Sequence, residues 1–344
     1  MLGRALGHLA HHMRYFTAPF LPIRRPMACS LAPVGRAWCN LACPGCYARS
    51  DRFKARLKKA LTLDEFDLLC QHLHDDLHID VAVLTDCEPL LDGLSRAKCE
   101  VAFEYFPVTW VVTNGTLPIP SNWPVTYFVS LDGPPAVHNA YRGHRAFERL
   151  ARNVRRALEE GVETIYAVCT LSRANWHHIA ETAKVAYELG FPGIAFDFLT
   201  PFSYDDPYYL RYPERNRAID EILALREKYA EEGFVIAPSR ASLELMRGPE
   251  WTRHCPNHLV LCVDAWGKPK ERCVFGPKAI CEYCGCHVYT ELTVAFRMKQ
   301  PLRSFLYLVG IMHAKHHHNP DILPFVPRLG KAPLWLRKLA VKLT

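Results

Sequence analysis

The chain has 344 residues, 49% hydrophobic and 22% charged, enough to bury a full core without disulfides. Its net charge of +7 is a mild basic excess, compatible with nucleic acid, an anionic membrane surface or an acidic substrate. No secretion signal and no run of spanning length is legible, which excludes a secreted disulfide scaffold and a bilayer-spanning chain, so the 14 cysteines read as reduced intracellular thiols.

The chain opens with a segment, 1–26, that repeats Leu2, Ala5, Leu6, Leu9, Ala10, Met13 and Phe16 on one helical face. Its other face carries Arg4, His8, His11, His12 and Arg14. A strand is expected at ACSLAPV from Ala28, followed by the loop WCNLACPGCYARS with Cys39, Cys43 and Cys46. A helix over 62–76 is expected, with Thr62 and Glu65 as a capping box. Further strands are expected at 80–85, 109–113, 126–131, 164–171 and 193–199. Helices are expected at 146–160, 175–189 and 213–232, the first two capped by Gly161 and Gly190. Strand–helix alternation with buried strands predicts an α/β fold on a parallel sheet, open or curled into a barrel. The alternation stops between Pro238 and Pro256, where a second cysteine group begins. The chain ends in PLWLRKLAVKLT, whose Trp335, Leu336, Leu339, Ala340 and Leu343 oppose Arg337, Lys338 and Lys342.

Clustered reduced thiols point to a metal or cluster. In the first group Pro44 stiffens the loop and Gly45 allows close backbone approach. A structural zinc needs four ligands, and only three are local. Three thiolates with a coordination position left over suit a [4Fe–4S] cluster with one free iron; zinc or an accidental thiol cluster is the alternative. C-x3-C-x2-C after an early strand of an alternating β/α chain resembles the radical S-adenosylmethionine (radical SAM) enzymes. The resemblance implies a partial (β/α)6 TIM barrel, a [4Fe–4S] cluster on Cys39, Cys43 and Cys46, and S-adenosylmethionine bound to the free iron. It implies cleavage to a 5′-deoxyadenosyl radical that abstracts hydrogen from the substrate. It also implies an electron donor such as ferredoxin or flavodoxin.

Other positions match the family in order. TDCEPLL from Thr85 stands where the family has a GGEP-like turn; Glu88 and Pro89 match, while Asp86 and Cys87 replace the glycines. Cys87 thereby becomes a candidate thiol near the active site. Asn114, Ser130, Asp132, Arg142, Thr170 and Tyr47 are the remaining expected cofactor contacts. All but Tyr47 and Arg142 fall at or just beyond C-terminal strand ends, where α/β proteins place their sites. An arginine fork suits a carboxylate.

The second group holds Cys255, Cys262, Cys273, Cys281, Cys284 and Cys286, with a turn-rich hairpin DAWGKPKER between them. It resembles the SPASM or twitch extensions of radical SAM enzymes. That implies one auxiliary [4Fe–4S] cluster on Cys255, Cys273, Cys281 and Cys284 or Cys286, with Cys262 spare; a zinc ribbon is the alternative. Cys29, Cys70, Cys99 and Cys169 read as small core hydrophobes.

The expected organisation is an amphipathic segment (1–26), a radical SAM barrel (27–238), an auxiliary-cluster unit (239–292) and a basic tail (293–344). Two basic amphipathic ends suit peripheral contact with the inner face of the cell membrane. CNLACPGCY is similar to a subset that includes adenosylhopane synthase-type and archaeal lipid-modifying members. The expected reaction is therefore hydrogen abstraction from a membrane-lipid chain and C–C bond formation, as in tetraether or macrocyclic-lipid synthases, through a long apolar tunnel. The alternatives are SPASM-type peptide or protein modification and, outside enzymes, a zinc protein that binds nucleic acid. No nucleic acid is expected on the main reading.

Overall fold

The computed structural model describes residues 25–48 and 58–298. Both expected amphipathic ends therefore fall almost wholly outside the described residues. Eight strands form one parallel sheet: β1 (Ala28–Leu31), β2 (Val81–Leu84), β3 (Val108–Thr113), β4 (Thr126–Ser130), β5 (Ile165–Leu171), β6 (Gly193–Phe198), β7 (Val235–Ala237) and β8 (Val260–Cys262). Their order is β7-β6-β5-β4-β3-β2-β1-β8, with β7 and β8 at the edges. Every pairing is parallel, in register from Ala28 opposite Val81 through Gly193 opposite Val235.

The expected parallel α/β sheet is present and does not close, consistent with the expected partial barrel; it has eight strands, two more than the six units supply. The extra strands, β7 and β8, have three residues each, too few for a period-2 pattern to register. Between the strands lie α1 (Leu63–Gln71), α2 (Gly93–Tyr105), α3 (Pro135–Arg142), α4 (Ala146–Glu159), α5 (Ile179–Glu188), α6 (Tyr212–Tyr229), α7 (Arg240–Leu245) and α8 (His287–Leu292). The Thr62–Glu65 capping box caps α1, which continues as a wider turn over His72–Asp76. Gly161 and Gly190 follow α4 and α5 at φ of 90°, where a Cβ would be strained. Helix α2 escaped the periodicity because its buried face includes Ser95 and Lys98. Helix α3 spans eight residues and starts on Pro135.

Side chains alternate cleanly across the sheet. On β3, Thr109, Val111 and Thr113 are buried against the helix layer, while Val108, Trp110 and Val112 are half-buried on the inner face. Cys29, Cys70, Cys99 and Cys169 sit in the helix-side core, as expected of small hydrophobes. On the inner face a floor of Phe128, Tyr166, Ala195, Val235 and Ala237 packs with Trp110, Val112 and Val168. Ring centroids are 5.4 Å apart for Trp110–Phe128 and 6.1 Å for Phe128–Tyr166. Toward the C-terminal strand ends the same face turns polar and half-exposed, with Ser130, Thr170 and Asp197.

The cysteine-rich segment does not stand apart from this sheet. Its β8 pairs with β1 at one side, and Gly285 forms an antiparallel bridge with Phe198 at the end of β6 on the other. Residues 260–285 thus run from one side of the open sheet to the other.

Candidate active site

The loop after β1 carries Cys39, Cys43 and Cys46, and three contacts fix it over the strand ends. The Glu88 N–H donates to the Trp38 carbonyl (2.9 Å). Asn40 donates to Thr116 Oγ1 (2.9 Å), and Asn114 donates to Asn40 Oδ1 (2.9 Å). Gly45 packs so closely that a Cβ there would collide with the Tyr141 hydroxyl and lie 2.7 Å from Leu199 Cδ1. Cys39, Cys43 and Cys46 lie within electrostatic range of one another; burial pushes the Cys39 and Cys46 thiols up. The Leu41 N–H donates to Cys39 Sγ (3.4 Å), and Asn114 Nδ2 lies 3.8 Å from the same sulfur. The Ala48 N–H serves Cys46.

Behind this loop Glu88 is buried, and its carboxylate accepts from Thr113 Oγ1 (2.7 Å), Asn114 N–H (2.8 Å) and Leu90 N–H (3.1 Å). Glu88 thus ties the TDCEPLL turn to the Thr113–Gly115 turn. Burial raises its carboxyl pKa. Asp86 takes a φ of 69°, accepts from the Tyr47 hydroxyl (2.6 Å) and pairs with Lys270 (2.5 Å). Lys270 lies on the second-group hairpin, whose expected turn is present: Lys270 N–H donates to the Cys262 carbonyl and Asp264 N–H to that of Lys268. Cys87 packs beside Cys39, Trp38 and Trp266, and burial holds its thiol well above the ordinary range.

Further along the rim, Asp132 is fully buried and pairs with Arg142 Nε (2.5 Å). The other oxygen of its carboxylate accepts the Thr170 N–H (3.1 Å). Burial opposes the Arg142 charge, but Asp132, Cys43 and Tyr141 together outweigh it and hold the guanidinium firmly protonated. Ser130 ends β4 beside Val168. Thr170 and Asp197 are register partners on β5 and β6. Glu88, Asn114, Ser130, Asp132, Arg142, Thr170 and Tyr47 are thus gathered with the three thiols at one end of the sheet.

In the second group Cys255, Cys273, Cys281 and Cys284 lie within electrostatic range of one another. Cys286 lies near Cys284 and Cys273 and also faces Asp197. Backbone N–H groups serve these sulfurs too: Asn257 to Cys255, Phe275 and Gly276 to Cys273, Cys286 to Cys284, and Tyr289 to Cys286. Cys262 behaves differently, donating to the Val260 carbonyl and lying 3.6 Å from the Tyr289 hydroxyl. Three residues near this group carried no sequence signal. His287 Nδ1 lies 2.8 Å from Asp197 Oδ1, and the fully buried Arg215 reaches the carbonyls of Tyr283 and Cys284. A long buried arginine in a helix of polar pattern could be found only from the fold.

Residues 36–186 match the radical SAM superfamily model. The chain carries a radical SAM domain. No curated protein matches the sequence. The radical SAM chain is similar in fold to anSMEcpe with bound AdoMet, at 18% identity and a TM-score of 0.56, over 73% of this chain and 75% of that one. It is also similar to Streptococcus suis SuiB bound to its precursor peptide SuiA, at 11% identity and a TM-score of 0.55, over 76% of this chain and 62% of that one. These likenesses concern the fold.

As a radical SAM enzyme the protein uses a [4Fe–4S] cluster and S-adenosylmethionine. The residues present fit that cluster. A sulfur that accepts N–H bonds is stabilised as a thiolate, and such bonds to the sulfurs are one of the levers a protein has on a cluster. Among the described residues no three His, Cys, Asp or Glu side chains close round a single ion; a four-iron cluster takes each thiolate on a different iron. Among them, too, no helix is long and apolar enough to cross a membrane.

Proposed function

We propose that this radical SAM enzyme carries an auxiliary cluster and modifies a residue of a peptide or protein. Cys39, Cys43 and Cys46 would hold the cluster that, with S-adenosylmethionine, supplies a 5′-deoxyadenosyl radical for hydrogen abstraction. Arg142, oriented by Asp132, meets the carboxylate of the methionyl group, and Ser130 meets the ribose. Asn114 and Thr170 complete the rim, and Tyr47 stands at its edge. Glu88 acts by shaping the turn, since its carboxylate oxygens are already occupied. Cys87 supports the loop by packing. Cys255, Cys273, Cys281 and Cys284 hold the auxiliary cluster, with Cys286 as the alternative fourth ligand.

The observation that carries this reading is the path of the second cysteine group across the open sheet, from β8 to the end of β6, which sets it beside the polar rim. Peptide-bound neighbours of similar fold, anSMEcpe with the Cp18Cys peptide and SuiB with SuiA, support a peptide substrate. A membrane lipid joined at carbon is the second reading, favoured by the aromatic floor of the inner face and by the basic amphipathic ends, which would bring the enzyme to the inner membrane surface.

The test is iron and sulfide content per chain after anaerobic purification, beside a Cys39→Ala, Cys43→Ala, Cys46→Ala variant. About eight irons falling to about four are expected, two [4Fe–4S] clusters and then one. Zinc in place of iron would overturn the assignment. Deuterated peptide and lipid pools then separate the two substrate readings, since only the substrate passes deuterium into 5′-deoxyadenosine.

A further inference from the structure

Arg215, on α6, is 0% exposed. Its Nη2 and Nη1 donate to the carbonyls of Tyr283 (2.8 Å) and Cys284 (3.1 Å). The guanidinium lies 5.0 Å from the Phe198 ring centroid and 5.4 Å from that of Tyr212. Its Nε is buried and has no hydrogen-bond partner among the described residues. None of the described ion pairs includes it, in contrast to Arg142 on Asp132. A guanidinium does not lose its proton in a protein, and an unpaired buried charge is strongly destabilising. Two carbonyls and two ring faces supply partial charges only. The ionisable groups in its electrostatic range are Tyr212, Cys284 and Tyr283. Burial pushes the Tyr212 phenol up to about 12 and keeps it neutral. Cys284, which belongs to the set Cys255, Cys273, Cys281 and Cys284, is the one that cluster binding would ionise.

We propose that Arg215 is the internal counter-charge of the second cysteine group and raises the reduction potential of the cluster bound there. This rests on the auxiliary-cluster reading above. Four thiolates make such a centre anionic, and one-electron reduction makes it one charge more negative. A fixed cation behind Cys284 therefore favours the reduced form. Its hold on two successive carbonyls also aims the Cys284 sulfur, so Arg215 is a positioning residue as well as a charge.

The experiment is a potentiometric EPR titration of the second cluster, with the first removed by the Cys39→Ala, Cys43→Ala, Cys46→Ala substitutions. Arg215→Gln is expected to keep about four irons and to reduce less readily by about tenfold, about 59 mV for one electron. Arg215→Lys, which keeps the charge, is expected to recover most of that loss. An unchanged potential in Arg215→Gln with its iron intact would overturn the proposal. If Arg215→Gln fails to load, loading by Arg215→Lys supports the charge, and failure of both variants assigns the residue to shape alone and overturns it. No iron in the triple-alanine parent would instead sink the auxiliary-cluster reading, and this proposal with it.

Discussion

At Cys39, Cys46, Cys255, Cys273, Cys284 and Cys286 the sulfur accepts a backbone N–H from two or three residues downstream. Cys99 and Cys262 instead donate, to the carbonyls of Pro89 and Val260. Each of these N–H bonds favours the thiolate at the clustered sulfur that accepts it. The close fit at Gly45 gives a test of the first loop. Gly45→Ala forces a methyl against the Tyr141 hydroxyl and is expected to lower the iron bound by Cys39, Cys43 and Cys46. Adding Tyr141→Phe removes the colliding atom and should restore part of that iron; no recovery would place the fault elsewhere. His138 gives a test by pH. It is fully buried and accepts the Asp132 N–H at Nδ1 (3.2 Å). Burial, helped by Arg142, pulls its pKa from 6.5 to about 4. A depressed histidine adds stability above its unfolded pKa that is lost as pH falls toward the folded value. Urea unfolding should therefore show about 3 kcal/mol lost between pH 6.5 and pH 4 from this group. His138→Gln keeps an acceptor for Asp132 and should flatten that slope.

Among the elements, the contact of β6 with the second cysteine group is the most exacting. Phe198 donates its N–H to the Gly285 carbonyl (3.0 Å), and a Cβ on Gly285 would run into the backbone and Cβ of Phe198. Gly285→Ala is expected to strip iron from the second group while leaving the first loaded, read as loss of about half the iron. Equal loss from both groups would show that the sheet itself had failed. The elements that sequence pattern revealed are those whose own residues carry the signal. Strands β2 and β3 alternate, β4 through β6 are short β-rich apolar runs, and α1 and α4 announce themselves by a cap or an apolar stripe. Strand β8 carries no such signal, because what makes Val260–Cys262 a strand is the distant edge of β1. Likewise Lys270 became a partner of Asp86 only through folding, 184 positions apart in sequence.

For the molecule as a whole, the placing of chemistry at C-terminal strand ends was readable from turns such as TNG and SLDG, since a parallel sheet gathers those turns on one side. Charge compensation was not readable: Arg215 on the second group and His287 on Asp197 join segments about 70 and 90 residues apart. The segment that joins the two sides of the sheet has a consequence for handling the protein. An open sheet presents unpaired backbone at its rims, a template for other strands. Here β8 covers one side of β1, and the chain that continues from β8 brings Cys273, Cys281 and Cys284 together with Cys255, just ahead of β8, before it reaches β6. On the proposed reading, in which these thiols hold a cluster, the order of that span depends on the cluster. Oxygen damage to that proposed centre would then be felt as stickiness as well as lost turnover: protein prepared in air is expected to self-associate through bared strand edges, and protein kept under rigorous exclusion of air is expected to stay in solution.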